Sequence, residues 1–491
     1  MRPWLKNILL AAAVFTLCWG GALWYWRSHN TMPGSADVVL YLVLLPIVLL
    51  FLLWFAKKLI LLVSAAPVAA AAAPAAAPAP AAPAPAPAPA LHLMAGALRL
   101  PHGQSAQELR GAIDAGAARP ALDAELMDDH GFPVMSARVD GVDTAATQEA
   151  FTAWLDAQAL PDPGYNDEQW RALALGADVA VELGQAAGAH QHLYGYDDAT
   201  PAARAASPLP TLQLLPLLPA DWDLAQRAAA ARWLLHLVHT QGWPADRLAL
   251  SSAAERGLAE RGPAEPLALI AQLAQNSRTA AAPCVAIVLA CASHIGEDTI
   301  DAWSRQGLLF TARNQRGRIP GEGAAGLLLA DAPQAALLDT DPAPQLHATV
   351  HGAHGASTDG PGLVDPGVLA GLGQDALRGA ASNAANVQLV VGDADHRASR
   401  NGELLAAAGA CAPQLDTSSQ VLGIATTCGH TGQVGALAAL VLARQATLDD
   451  ASHVLYLSNQ DPFQRSAAVV RPQPEPDAAA QAPAPAAALA A

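Results

Sequence analysis

The sequence predicts an α/β domain carried behind a two-helix transmembrane hairpin. Three observations predict it: two charge-free apolar runs near the N-terminus, an Ala/Pro tract after them, and a long alternation of short apolar runs with Ala/Leu-rich stretches. The runs Ile8–Trp26 and Val38–Ala56 each approach the ~20 residues that cross a ~30 Å hydrocarbon layer. The first lacks a small-residue cleavage site, and the second comes almost at once after it, so the pair reads as a hairpin over residues 1–64 rather than a signal peptide. Trp24, Tyr25, Trp26 and Trp54 stand near the run ends, where amphipathic rings favour the headgroup level. Arg2 and Lys6 precede the hairpin, Lys57 and Lys58 succeed it, and the connection carries only Arg27. The positive-inside bias therefore expects both termini in the cytoplasm of a bacterial cell, with the inner-membrane bilayer as one partner.

Residues 65–90 are almost only Ala and Pro, a composition that cannot form a core and tends to extended polyproline II. At ~3.1 Å per residue such a spacer holds the α/β domain tens of ångströms from the bilayer. Residues 471–491 have a similar composition and are expected to be a disordered tail. Of the 27 basic and 43 acidic residues, five and one fall in the first 90 positions, leaving a net charge near −20 on the rest. That field repels phosphate backbones and anionic lipid, which argues against nucleic acid as a partner. Lysine is absent after Lys58. The five cysteines form no CxxC pair and imply neither a disulfide framework nor a zinc site.

Between residues 91 and 470, the helical spacing marks Ala225–His239, Pro266–Gln275 and Val434–Ala446. Short apolar runs mark strands at Val285–Ala290, Val387–Val391 and Val454–Ser458, and their lack of alternation implies a sheet covered on both faces. Residues 91–198 carry Trp, Asp and a Gly131-Phe132-Pro133 feature after Asp129, and are expected as a possible distinct N-terminal part.

Two glycine motifs stand out. The first is Pro320-Gly321-Glu322-Gly323-Ala324-Ala325-Gly326, preceded by the strand Val285–Ala292 with Ser293-His294. The second is Cys428-Gly429-His430-Thr431-Gly432, leading into Val434-Gly435-Ala436-Leu437 and then the strand Val454–Ser458. In order and spacing these resemble the GEGA segment and the glycine-histidine turn of β-ketoacyl synthases of the thiolase fold, over roughly residues 225–470. The resemblance implies duplicated α/β/α/β/α layers and a homodimer.

Condensing enzymes of that family place a cysteine at a helix N-terminus, where the dipole lowers the thiol pKa, and support it with two histidines and a lysine. Carried onto this chain, the nucleophile falls within Arg261–Pro266, which holds neither Cys nor Ser; the lysine falls at Ala425; the first histidine falls near Gly392-Asp393, with His396 as a shifted substitute. Only His430 matches. It is therefore the candidate remnant catalytic residue, expected to cap the next helix or satisfy a buried carbonyl, with Cys428 as a candidate thiol partner. Glu322 is expected to serve architecture, and Cys284 and Cys291 to be small core hydrophobes.

Other clusters have plain expectations. His347, His351 and His354 lie on a strand entering a glycine loop, His190 and His192 with Tyr194 in a solvated loop, and Asp393 with Asp395 in a turn. Asp461-Pro462-Phe463 is expected as another turn. No metal and no cofactor is expected. The function expected is a non-catalytic thiolase-like scaffold or assembly protein with an unidentified protein partner, in envelope machinery such as type VI secretion. The alternatives are an active acyltransferase of fatty-acid or polyketide metabolism, and a small-molecule sensor built on the remnant pocket near His430.

Overall fold

The computed structural model describes residues 19, 44, 45, 90–251, 265–338, 343–360 and 364–473. The two apolar runs, the Ala/Pro spacer and the C-terminal tail lie outside the described residues but for those three positions and residues 90 and 471–473. Among the described residues no helix is long and apolar enough to cross a membrane.

The first half of the fold runs β1 (Leu91–Arg99), α1 (Ala106–Asp114), β2 (Ala121–Met127), β3 (Pro133–Ser136), α2 (Thr144–Gln158), α3 (Asp167–Ala187), β4 (Leu212–Leu217), α4 (Leu224–Thr240), β5 (Leu248–Leu250), α5 (Pro266–Ala280), β6 (Val285–Ser293), α6 (Glu297–Gln306) and β7 (Glu322–Ala330). The second runs β8 (Gln345–Ala353), α7 (Gly367–Gly379), β9 (Val387–Gly392), α8 (Ala398–Cys411), β10 (Val421–Gly423), α9 (Ile424–Cys428), α10 (Val434–Asp450), β11 (His453–Ser458) and β12 (Gln464–Arg471).

Strand order shows the repeat directly. One end of the sheet reads β5-β4-β6-β7-β1 and the other β10-β9-β11-β12-β8. In each, the first three strands are parallel and the last two antiparallel to their neighbours. Within the sheet, and among the described residues, the halves join through two residue pairs between β1 and β8, Leu91 with Leu346 and His92 with Gln345. Each half also sends one helix into the middle, α5 before β6 and α10 before β11. Both bury residues in a shared core with β6, β7, β11 and β12. Helix α10 is apolar all round from Val434 to Ala443, as a helix enclosed on every side must be. On the outer faces α3 and α4 cover β4, β6 and β7, while α7 and α8 cover β11 and β12.

Local chemistry sets these helices. Asn166 with Gln169, and Asp223 with Gln226, form reciprocal caps that satisfy first-turn donors of α3 and α4. Pro266 opens α5, where its missing N–H has no intrahelical acceptor to lose. Residues 91–198 are not a separate layer. They supply β1 at the join of the halves and α3 on the sheet, and Phe151 and Trp154 of α2 pack with Trp222 and Trp233 in one aromatic cluster.

Candidate functional site

The two glycine motifs meet in space, and backbone contact is what they share. His430 N–H donates to Ile319 O at 2.7 Å, and Pro320 bridges His430 in parallel. A Cβ on Gly321 would stand 2.2 Å from Cys428 O, and one on Gly429, whose φ is +67°, would stand 2.8 Å from Pro320 O. Only glycine allows that approach at both positions. The motifs are thus the two faces of an interlock between the halves.

Glu322 anchors it. Fully buried, its carboxylate accepts from Arg171 Nη2 at 2.6 Å and Nε at 3.0 Å, from Val139 N–H at 2.8 Å and from Ser293 Oγ at 3.1 Å. This is the architectural role expected of it, reached through a bidentate guanidinium fork.

His430 does not cap α10, which begins without a side-chain cap. The cause is direction: its ring Nδ1 meets Gln460 Nε2 at 3.0 Å, and the ring packs 5.2 Å from His294 and 5.6 Å from Trp303. Burial, with Arg318 and His294 nearby, holds the imidazole well below its ordinary pKa, so it is neutral. Cys428 lies in the core beneath α10, with Sγ 3.4 Å from Thr427 Oγ1, and forms no hydrogen bond with His430. The thiol-imidazole pair does not form because Gly429 sends the chain out of α9 in an extended, positive-φ conformation between them. Burial pushes the thiols of Cys284, Cys291 and Cys428 up to about 12 and that of Cys411 up to about 11.

The position expected for the first histidine holds Asp393. Its buried carboxylate accepts from Ser458 Oγ at 2.6 Å, Asn459 N–H at 2.8 Å and Gln460 N–H at 3.2 Å, so it closes the loop after β11 rather than a local turn. Asp395 does make the short turn, accepting from Arg397 N–H at 3.0 Å, and also takes the Arg397 guanidinium at 2.8 Å. His396 packs edge-on against Phe310 at 5.0 Å. Ala425 is buried in α9. Of the stretch expected to hold a nucleophile, residues 261–264 lie outside the described residues. Glu265, at the start of α5, takes His351 Nδ1 at 3.1 Å and the Ser466 hydroxyl.

Beyond Asp393 lies an ionic network that sequence reasoning misses. Glu403 and Arg465, both fully buried side chains, pair at 2.8 Å; Glu403 also takes His354 Nε2 at 2.9 Å and Asn459 Nδ2 at 3.1 Å. Asp359 takes Arg397 at 2.8 Å and Arg400 at 2.6 Å. Beside it a cleft of about 530 Å³ opens, lined in part by Asn314, Arg316, Arg318, Asp359, Arg397 and Ser399. The signal available in sequence is Arg400 and Glu403, polar residues at i and i+3 on the same face as Leu404 and Ala407.

The remaining histidines separate. His347 meets Gln345 Oε1 at 2.8 Å, while His351 and His354 each face a different glutamate. His190 is buried rather than solvated, because a short 3-10 turn directs it at Gln334 Oε1, 3.0 Å away. Asp461 Oδ1 accepts from Phe463 and Gln464 N–H groups, which makes the turn expected there.

Burial lowers the pKa of His430, His294 and His347, the last to about 4. Unfolded, each takes a proton near 6.5, so below that pH the unfolded state binds more protons and stability falls with pH. Each adds a slope of at most about 1.4 kcal/mol per pH unit. Asp393, pushed upward by burial, opposes this only where it takes up its own proton. The urea midpoint is expected flat from pH 8 to 7 and lower at 5.5, and a midpoint unchanged at 5.5 contradicts it.

No family model matches the sequence, and no curated protein sequence matches it. Solved structures do. The ketosynthase from module 1 of the bacillaene synthase of Bacillus amyloliquefaciens FZB42 matches with a TM-score of 0.52 at 13% identity, over 79% of this chain and 74% of that one. An oxazolomycin ketosynthase domain of Streptomyces albus JA3453 matches with 0.52 at 13%, over 78% and 75%. The domain therefore has the β-ketoacyl synthase-like, thiolase-type fold.

Proposed function

We propose that this protein is a thiolase-like scaffold that has lost acyl transfer, held at the cytoplasmic face of the inner membrane and serving as an assembly partner in an envelope machine of the type VI secretion kind. A homodimer belongs to the same reading. The observation that carries the loss of chemistry is the occupation of the reactive positions. Asp393 stands where a histidine is needed and spends its carboxylate on the loop after β11, Ala425 stands where a lysine is needed, and Glu265 opens the helix whose start should carry a thiol. Acyl transfer needs nucleophile, base and oxyanion donors converging within hydrogen-bond reach. Among the described residues no thiol or hydroxyl is hydrogen-bonded to the His430 ring, whose Nδ1 meets Gln460, and Cys428 faces the core. The two apolar N-terminal runs, with Arg2, Lys6, Lys57 and Lys58 outside them, support the membrane tether.

Thiol labelling tests it. With pKa values near 12, the thiolate fraction of Cys284, Cys291 and Cys428 at neutral pH lies on the order of a thousandfold below that of a free thiol. Iodoacetamide and an acyl-CoA are expected to leave these three and Cys411 unmodified in the folded full-length protein, as read by mass spectrometry. Rapid modification of one of them ahead of the others would establish the acyltransferase alternative instead.

A further inference from the structure

The arginines in and around the cleft beside Asp359 fall into two groups. Arg397, Arg400 and Arg465 are each paired with a carboxylate among Asp359, Asp395 and Glu403. Arg316 and Arg318 have no ion pair and no side-chain hydrogen bond among the described residues, and Arg318 Nε is buried without a partner. Arg316, Arg318 and Arg397 thus line the cleft against the carboxylates of Asp359 and Glu403, both already paired, in a chain whose net charge beyond residue 90 is near −20. A buried guanidinium N–H left without an acceptor is costly, and the loop that carries Arg318 is fixed in place. Its backbone is bonded both ways to the loop, N–H to Leu308 O at 2.6 Å and carbonyl from Phe310 N–H at 2.9 Å, and its guanidinium carbon lies 5.9 Å from the Trp303 ring centre.

A second feature points the same way. Helix α8, 14 residues long, starts at the cleft wall without a side-chain cap, and Ala398 and Ser399 of its first turn line the cavity. First-turn N–H groups have no intrahelical acceptor and carry the positive end of the helix dipole.

We propose that this cleft binds an oxyanion, the phosphate or carboxylate group of a small molecule, with Arg318 as its principal cation, Arg316 at the rim and the first turn of α8 opposite. The planar fork of arginine matches both groups bidentately. Binding here involves no bond making and does not depend on whether acyl transfer is lost, so the thiol-labelling outcome leaves it untouched.

The test is thermal unfolding and titration calorimetry of the full-length chain with inorganic phosphate and, separately, citrate, against sodium chloride at equal ionic strength. At least one probe is expected to raise the melting temperature saturably, and the stronger one identifies the group. Arg318→Gln is expected to weaken its dissociation constant at least tenfold, whereas Arg119→Gln, exposed and outside the cleft, leaves it unchanged. Should Arg318→Gln fail to fold, the exposed Arg316→Gln carries the test, with a loss of at least threefold expected. No saturable rise above the chloride control with either probe, or an unchanged dissociation constant in the arginine variant, overturns the proposal.

Discussion

Glu322→Ala is expected to lower unfolding stability by about 3–5 kcal/mol, the cost of leaving a buried ion without its counterion. The glutamate side chain is fully buried and Arg171 is four-fifths so, and the pair joins α3 to the first residue of β7. Removing the carboxylate strands the Arg171 guanidinium, the Val139 N–H and the Ser293 hydroxyl together. Arg171 keeps one acceptor, Val139 O at 2.8 Å, so its charge stays in place and the loss is not relieved by a side-chain swing. Urea denaturation by circular dichroism measures it. A loss below about 1 kcal/mol would mean that the interlock of the glycine motifs holds without its anchor.

Glu403→Ala is expected to cost as much, about 3–5 kcal/mol, for a related reason in the other half. Arg465, His354 and Asn459 each lose the Glu403 carboxylate; Arg465 keeps only the neutral acceptors of Asp461, Gln464 and Thr358, and its side chain is fully buried. The pair can be separated from its parts. Replacing both partners at once, Glu403→Met with Arg465→Met, removes both buried ions and is expected to recover most of the loss, because a well-packed apolar pair often matches a buried salt bridge. Equal destabilisation of single and double variants in the same denaturation experiment would show that the network acts through Thr358, Asp359 and Arg400 rather than through this pair.

Both effects lie in groups that the sequence shows poorly. The apolar runs Val285–Ala290, Val387–Val391 and Val454–Ser458 are legible as strands because each is covered on both faces and needs no polar alternation. Helix α10 is legible for the same reason. The glycine motifs are legible because backbone contact tolerates no other residue, and they point to the right half of the chain. What stays hidden is side-chain pairing across long separations. Asp359, Arg397, Arg400, Glu403 and Arg465 come from α8, β12 and two loops, and nothing local ties Asp359 or Arg465 to the other three. Asp393 looks like a turn residue in sequence since its true partners, Ser458 to Gln460, stand far downstream. His190 looks solvated because its flanks are polar, whereas a three-residue turn points the ring inward.

The lone ladder between β1 and β8 and the shared burial of α10 bear on how the chain is made. Strands β6 and β7 are finished long before the helix that lies against them, which emerges from the ribosome roughly a hundred residues later, or some 5–20 seconds at ordinary elongation rates. For that interval a wide oily surface waits without its lid. Nascent chains of this protein are therefore expected to engage a holding chaperone, and the first half made alone is expected to aggregate.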